Sequence, residues 1–598
     1  MELTLPPDYN EPESFPICSR RDNKSESNHV FYKHDIFPIL IFFFVSFLAY
    51  LNSLGNGFHY DDYHSILSNP CIRDFRNIGR FFIDPGMFSS SSEMAMYRPM
   101  LLVTYAISYA LSGYRPWGWH IINIIIHAAN VCLLYFFIRR WVSTAAAAIA
   151  ATIFAVHPLA AEPINYISAR SSLLVTAFML GSILLYIRYL EAGKLWRLLL
   201  SLILFVFGML SKENGITYIA LIIALDLLPI QKGEVKTGRS NLAYIKPWIL
   251  FCGAGIVYLL MRYKMKLATI PHAHLSRTVY ENLLTQAGAL LMYFKHFLWP
   301  VGLSNVYDIP IAFSLIDSKL PFWCWPLIKG IIVLFPIAAS IAWVKRRPQL
   351  SFGILWFYIT LSPEILWPMN MVATDRRMYL PCIGLIIGAA YLYDEIKIRW
   401  TGIRRYTWTG STAVILISLS ALTISRNRDW ATDFTLWTDA IKKYPQSYSA
   451  YDSLGFYYIH ANKPEEAQWA FRKAIRINPD YYFARANLGA LLADQGRYEE
   501  AVRELEGSIA ITQKLGIPNP ARITLGNIYL RLGLLDRAEY QLSIAVIENP
   551  LTAEAHFNLA RVYRSKGKIN DAITHFQQAA ALDPNLAPEA EKAIQELK

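Results

Sequence analysis

"YDSLGFYYIHANKPEEAQWAFRKAIRINP", residues 451–479, reads as two helical stretches joined by a short polar turn, and its pattern returns three more times. Leu454-Gly455 recurs as Leu488-Gly489, Leu525-Gly526 and Leu559-Ala560, at intervals of 34, 37 and 34 residues. Ala467, Ala501, Ala538 and Ala572 keep that spacing, as do Ala474, Ser508, Ala545 and Ala579. Pro479 and Pro550 each close a unit, with Pro445 and Pro584 in register. The three extra residues of the long interval fall in "QKLGIPNP" (513–520), between units.

A period of about 34 residues with Leu-Gly, a small residue and a closing proline is the tetratricopeptide signature. The small residues let paired helices approach closely, and the proline stops the second helix. Four units predict an α-solenoid over 447–585, with a C-terminal capping helix at 586–598 and a concave groove for a partner polypeptide. Tyr451, Tyr458, Asn487, Asn527 and Asn558 are groove positions on this reading, or else packing and solvated ones.

Upstream the composition changes. The whole chain of 598 residues is 54% hydrophobic and 17% charged, against about 25% charged in ordinary soluble domains. Apolar runs lie near 36–54, 118–138, 144–158, 171–190, 195–211, 214–229, 246–262, 325–344, 350–367, 378–394 and 408–425. They predict about eleven spans. The fold class is therefore all-α: a polytopic helical membrane domain at 36–425, then a linker at 426–446, then the soluble repeats. The first 35 residues read as a polar cytoplasmic tail without a cleaved signal peptide, so the first run is a retained anchor.

The net charge of +12 sets orientation and gives no reason to expect nucleic acid. With the N-terminus in the cytoplasm, the inside loops collect Arg139/Arg140, Arg188/Lys194/Arg197, Lys345/Arg346/Arg347 and Lys397/Arg399, as the positive-inside rule requires. The assignment holds only if the more polar run 282–300 stays on the outer side as a surface or re-entrant helix. The repeats then lie outside too. The six cysteines are scattered, with no C-x-x-C pair, so neither a disulfide framework nor a zinc site is expected.

Every predicted outer edge carries ionisable residues. "NGFHYDDYHSI" (56–66), in the first outer loop at 56–117, holds the pair Asp61-Asp62. Arg98 follows in "YRP", His157 and Glu162 in "HPLAAEP", Lys212 and Glu213 in "SKENG", and Asp375, Arg376, Arg377 and Tyr379 in "DRRMYLP". Ionisable groups at such depth mark a pathway or site. Cations hold an anionic leaving group, and an aspartate takes a proton from an attacking hydroxyl. The combination suits a lipid phosphate that carries a sugar.

The pieces "DDYHSILSNP" (61–70), "YRPMLLVTYAISYALSG" (97–113), "WHIINIIIH" (119–127), "FAVHPLAAEPINYISARSSLL" (154–174), "LSKENGIT" (210–217) and "DRRMYLP" (375–381), followed by the repeats, resemble the transmembrane and tetratricopeptide-repeat-containing O-mannosyltransferase-like family of GT-C type. The resemblance implies a polyprenyl-phosphate-linked sugar donor, a protein hydroxyl acceptor recruited by the repeats, and inversion by direct displacement. It places the catalytic acid at Asp61 or Asp62 and assigns no metal ligands. Arg98, His157, Glu162, Lys212, Glu213, Asp375, Arg376, Arg377 and Tyr379 are the expected substrate contacts, with Arg376 ranked above Arg377. Four repeats make the compact form of bacterial relatives, implying an inner membrane with periplasmic repeats, or the endoplasmic reticulum in a eukaryote.

His120, Asn123 and His127 share one helical face and are expected to bond between helices. Glu162 has Arg170 as an alternative partner, and Asp226 reads as structural. The aromatic stretch 320–326 reads as an interfacial belt, and Asp308 is a weaker acceptor-side residue. The rival to an enzyme is a membrane-anchored repeat adaptor for secretion or envelope assembly.

Overall fold

A computed structural model describes residues 33–90, 96–228, 242–265, 279–307, 309, 324–367, 371–399, 403–583 and 585–598. Asp308 and the side chains of 320–326 lie outside the described residues, as do the cations at 20–24 and 232–239. Among the described residues every regular element is a helix. Five are long and apolar enough to cross a membrane: Ile36–Ser53, Pro116–Ile138, Ile167–Ala192, Ile245–Lys264 and Thr407–Asp429. Helices also cover the runs near 195–211, 325–344, 350–367 and 378–394. Phe37, Leu40 and Phe44 on the first helix, Val257 and Leu260 on another, and Val414 and Ile417 on the last described span are all exposed. Such apolar surface suits lipid rather than water. The chain is an integral membrane protein.

A further candidate span is broken. Helix Thr144–Val156 bends by 49° into Pro158–Asn165. His157 adopts an extended backbone, as a residue before proline must, and its ring accepts the Leu159 amide at 3.2 Å to start the next turn. The bend buries Glu162 instead of presenting it to water. A second close fit sets the other wall. A Cβ on Gly353 would lie 2.5 Å from the Gly384 carbonyl oxygen, so helices Pro348–Leu366 and Cys382–Arg399 meet backbone to backbone. Small residues permit that approach. The turn Asp375–Met378 lies in the segment that joins them.

The C-terminal half-turns of the first and last spans are tied together by buried asparagines. Asn56 donates to Asn165 at 2.7 Å, Asn165 to Asn427 at 2.8 Å, and Asn427 to the Ala49 carbonyl and to Asn52, both at 2.9 Å. Helix Val279–Leu298, the more polar run, packs beside the segment that follows helix Pro348–Leu366: Asn282 and Gln286 donate to the carbonyls of Ile365 and Val372.

The repeats form four helix pairs, Tyr448–His460/Pro464–Ile477, Tyr482–Asp494/Tyr498–Leu515, Ala521–Arg531/Leu535–Glu548 and Ala553–Ser565/Ile569–Leu582. The Leu-Gly glycines sit where the pair closes. A Cβ on Gly455, Gly489 or Gly526 would meet Phe471, Leu505 or Leu542 at 2.5–2.6 Å. The fourth unit tolerates Ala560, in one buried cluster with Phe576. Helix Ala587–Leu597 covers that cluster with Ala590, Ala593 and Ile594.

Segment 426–446 is more ordered than the expected linker. The last span runs on to Asp429, and a new helix, Asp433–Lys443, follows. Thr432 and Thr435 form a reciprocal capping box at its start, satisfying two free amides. Trp437 and Ala440 pack with Ala450 and Leu454 of the first repeat on one side and with Val306 and Tyr60 on the other. The solenoid is thereby seated on the membrane domain.

Candidate functional site

Asp61 and Asp62 face different environments. Asp62 is wholly buried. One of its oxygens accepts from the Ser168 amide at 2.8 Å and hydroxyl at 2.5 Å, and the other from the His59 amide at 3.0 Å. Burial pushes its carboxyl up to about 6 despite those donors. The Asp61 side chain is 49% exposed. Burial of its surroundings raises its pKa, but hydrogen bonds from His64 and Tyr166 and the charge of Arg376 outweigh that and lower it to about 2. The two values differ because the surroundings differ, with the higher one on the inaccessible member.

The turn that presents Asp61 is strained. Tyr60 has φ +51°, a left-handed conformation rare for a bulky residue. Its ring is wedged against Trp437 at 4.8 Å and Tyr166 at 5.4 Å. Strain of this kind costs about 1–3 kcal/mol and persists only where surroundings enforce it.

Two of the expected cations, Arg98 and Arg376, feel the charge of Asp61, and a third, Lys212, feels the charge of those two arginines. Arg376 lies 5.1 Å over the Tyr166 ring, and the Tyr166 hydroxyl accepts the Asp61 amide at 3.3 Å. Arg376 also donates to Glu162 at 3.3 Å through its guanidinium and 3.1 Å through its backbone amide. Its pKa moves further up because nearby Glu162 outweighs the cost of burial. Arg98 donates to Glu213 at 3.1 Å and feels the charge of Asp61. Lys212 donates to the Ser172 hydroxyl at 3.1 Å. Burial, with Arg98 and Arg376 adding to it, lowers the Lys212 ammonium to about 8 despite nearby Glu364. Glu213 is drawn down to about 2: burial opposes this, but Arg98 and Arg262 prevail.

Other expected contacts are placed elsewhere. Arg377 is buried, ion-paired with Glu364 at 3.0 Å and hydrogen-bonded to the carbonyls of Met371 and Val372. Tyr379 points into the helical core, where its hydroxyl meets His127 at 2.7 Å and Asn130 at 3.1 Å. His157 caps its own turn and meets the Phe297 carbonyl at 3.1 Å. Asp375 accepts from Tyr307, and its carboxyl is raised by burial and by Glu162. Arg170 does not pair with Glu162. It is enclosed by Asn123, Ser108 and the carbonyls of Thr104 and Trp119. His120 and Asn123 bond between segments, to the carbonyls of Asn56 and Ile164. Asp226 accepts from Trp248 at 2.8 Å.

Among the described residues no group of three or more His, Cys, Asp or Glu is placed to hold a metal ion. Sequence reasoning passed over Tyr166, Glu364, Arg262 and Asp433. Glu364 alone among these had a readable signal, as an acid inside an apolar run.

Residues 97–259 match the family described as dolichyl-phosphate-mannose-protein mannosyltransferase, and residues 458–514 and 523–587 match tetratricopeptide repeats. The chain is 24% identical over 533 residues to the protein O-mannosyl-transferase TMTC3 of Homo sapiens, covering 82% of this chain and 57% of that protein. It is 23% identical over 458 residues to the protein O-mannosyl-transferase F38B6.6 of Caenorhabditis elegans, covering 74% and 63%. Over a shorter stretch of 225 residues, 35% of this chain and 24% of the other, it is 31% identical to the protein O-mannosyl-transferase Tmtc2 of Drosophila melanogaster. The chain thus spans less than two thirds of the length of these relatives. Among solved structures, YrrB, described as a tetratricopeptide-repeat protein with an unusual peptide-binding site, is 21% identical, with 27% of this chain and 86% of its own covered and a TM-score of 0.23.

Proposed function

We propose that this chain, a relative of the protein O-mannosyl-transferases over 82% of its length, moves mannose or another hexose from a polyprenyl-phosphate donor to a protein hydroxyl on the non-cytoplasmic side of a membrane. The observation that carries this reading is one half-exposed acid, Asp61, whose charge reaches Arg98 and Arg376, with Lys212 within reach of those two arginines, the three cations coming from three separate loops. An acid for the nucleophile and cations for the leaving group are what a displacement at a sugar phosphate needs.

In the proposed step the acceptor oxygen attacks the anomeric carbon from the face opposite the phosphate. The new carbon–oxygen bond forms as the bond to the phosphate oxygen breaks, with inversion. Asp61 takes the hydroxyl proton. The phosphate leaves on its lipid with the charge that Arg376, Lys212 and Arg98 neutralise. Asp62 works through backbone geometry, because all its bonds are already made inside the protein. The repeats recruit the acceptor polypeptide. The adaptor reading gives this charge cluster no role.

The test is transfer by the purified full chain in lipid nanodiscs, from polyprenyl-phosphate mannose and from a second hexose donor, to serine- and threonine-containing peptides, read by mass spectrometry. Added hexose in wild type and none in Asp61→Asn is the expected result. Absence of transfer from every lipid-linked donor refutes the reading.

A further inference from the structure

The loop that carries Asp61 is held from the repeat side. Asp433, the first residue of helix Asp433–Lys443, accepts two bonds from that loop, one on each oxygen. The His59 ring nitrogen Nδ1 donates at 2.6 Å and the Tyr63 hydroxyl at 2.7 Å. His59 is wholly buried, and its other ring nitrogen faces the Trp430 carbonyl at 2.8 Å. One turn along the same helix, Trp437 presses on the strained Tyr60. The Tyr63 ring is also parallel to His460 of the first repeat, with centroids 6.0 Å apart. The four loop residues around Asp61 that make these contacts or receive Asp62's support, 59, 60, 62 and 63, bracket it on both sides.

We propose that helix Asp433–Lys443 is a clamp on the acid loop, with Asp433 and Trp437 as positioning residues that enforce the left-handed turn at Tyr60 and so aim Asp61. Asp433 never meets substrate; it acts through His59 and Tyr63. The repeat solenoid is then part of the site's architecture as well as a recruiter, because helix Asp433–Lys443, which packs on the first repeat, shares one hydrogen-bonded unit with the loop. A misplacement of about 1 Å in a reacting group is worth up to about a hundredfold in rate. The effect on turnover presupposes the transfer reaction proposed above; the effect on the loop's backbone does not.

The experiment uses the full chain in nanodiscs with two readouts: amide hydrogen exchange on peptides spanning 57–68, and sugar transfer with kcat separated from donor KM. Asp433→Ala is expected to speed exchange in 57–68 and to lower kcat about tenfold or more, with donor KM unchanged. Asp433→Asn keeps one acceptor of the two and should fall between. Tyr63→Phe removes a single hydroxyl and keeps the clamp testable should Asp433→Ala fold poorly; it too should speed exchange in 57–68. Lys566→Ala, at an ion pair near the far end of the solenoid, should change neither readout. Unchanged exchange in 57–68 for both Asp433→Ala and Tyr63→Phe overturns the clamp. Faster exchange with full kcat overturns the positioning role. Faster exchange in the variants, with no transfer even by wild type, upholds the clamp and refutes the proposed reaction.

Discussion

Arg376 grips Glu162 twice, by its guanidinium at 3.3 Å and by its backbone amide at 3.1 Å. Glu162 is 1% exposed, so the arginine is both the expected phosphate ligand and the counter-charge of a buried acid. These two roles can be separated by experiment.

Removing one partner of a buried pair costs about 3–5 kcal/mol, because the other charge is left uncompensated. Arg376→Ala should therefore lower the unfolding temperature as well as donor affinity. The double variant Arg376→Gln with Glu162→Gln removes both charges and should recover most of the thermal stability, but not the affinity. Thermal unfolding by intrinsic fluorescence and titration with polyprenyl-phosphate sugar check this. Wild-type donor affinity in the double variant would remove Arg376 from the pocket.

The two aspartates should fail differently. Asp61→Asn keeps size and loses the proposed base, so turnover should drop about a hundredfold or more, with a smaller loss of stability than in Asp62→Asn because the Asp61 side chain is half exposed. Asp62→Asn turns an amide nitrogen either toward the His59 amide or toward the Ser168 donors, donor against donor. That should destabilise by about 1–3 kcal/mol. The pH dependence of the Asp62 contribution has a sign. Its folded pKa is raised from 3.8 to about 6, so the folded state holds the proton more tightly, and this contribution to stability falls as pH rises from about 4 to 6. In Asp62→Asn that slope should be absent; unfolding midpoints across this range decide the matter.

Lys212 supplies a second pH signature. Burial lowers its ammonium from 10.5 to about 8, so above that pH the free site loses a cation. A bound phosphate favours the charged form. Donor affinity should therefore fall as pH rises through about 8. Lys212→Arg keeps its charge at any such pH and should flatten the profile. Donor KM measured from pH 6.5 to 9.5 tests it, and an equally steep profile in the arginine variant would exclude Lys212.

Topology is open to a direct test. A reporter active only in the cytoplasm should stay dark when fused after Lys598 and light up when fused after Arg347. The reverse pattern would place Asp61 and the repeats on the cytoplasmic face.

The repeats were legible because their determinants are local: Gly455 meets Phe471, sixteen residues on, and the same offset returns in each unit. The ordered helix at 433–443 was harder to read, since a capping box of two threonines is a weak signal within a short charged stretch. Arg376 and Arg377 look equivalent in sequence, yet neighbours on a tight turn point in different directions; one reaches toward Tyr166 and the other into a carbonyl cluster. Tyr379 resembled a substrate contact only because it follows them. His59 was in plain view within the acid stretch, but its partner Asp433 lies 374 residues away, and no local pattern reports a contact of that range.

The asparagine tie between first and last spans has a consequence for synthesis. Asn56 and Asn165 are both made early, and both are bonded through a chain that ends at Asn427. Chains emerge and fold from the N-terminus, so Asn56 and Asn165 can bond each other early, but the bonds of both to Asn427 wait for the last span. The acid loop between them gains its native floor only when the final span enters the bilayer. A ribosome-bound intermediate therefore lacks the finished charge cluster, and its assembly is timed by the end of the membrane domain rather than by the segment that encodes Asp61.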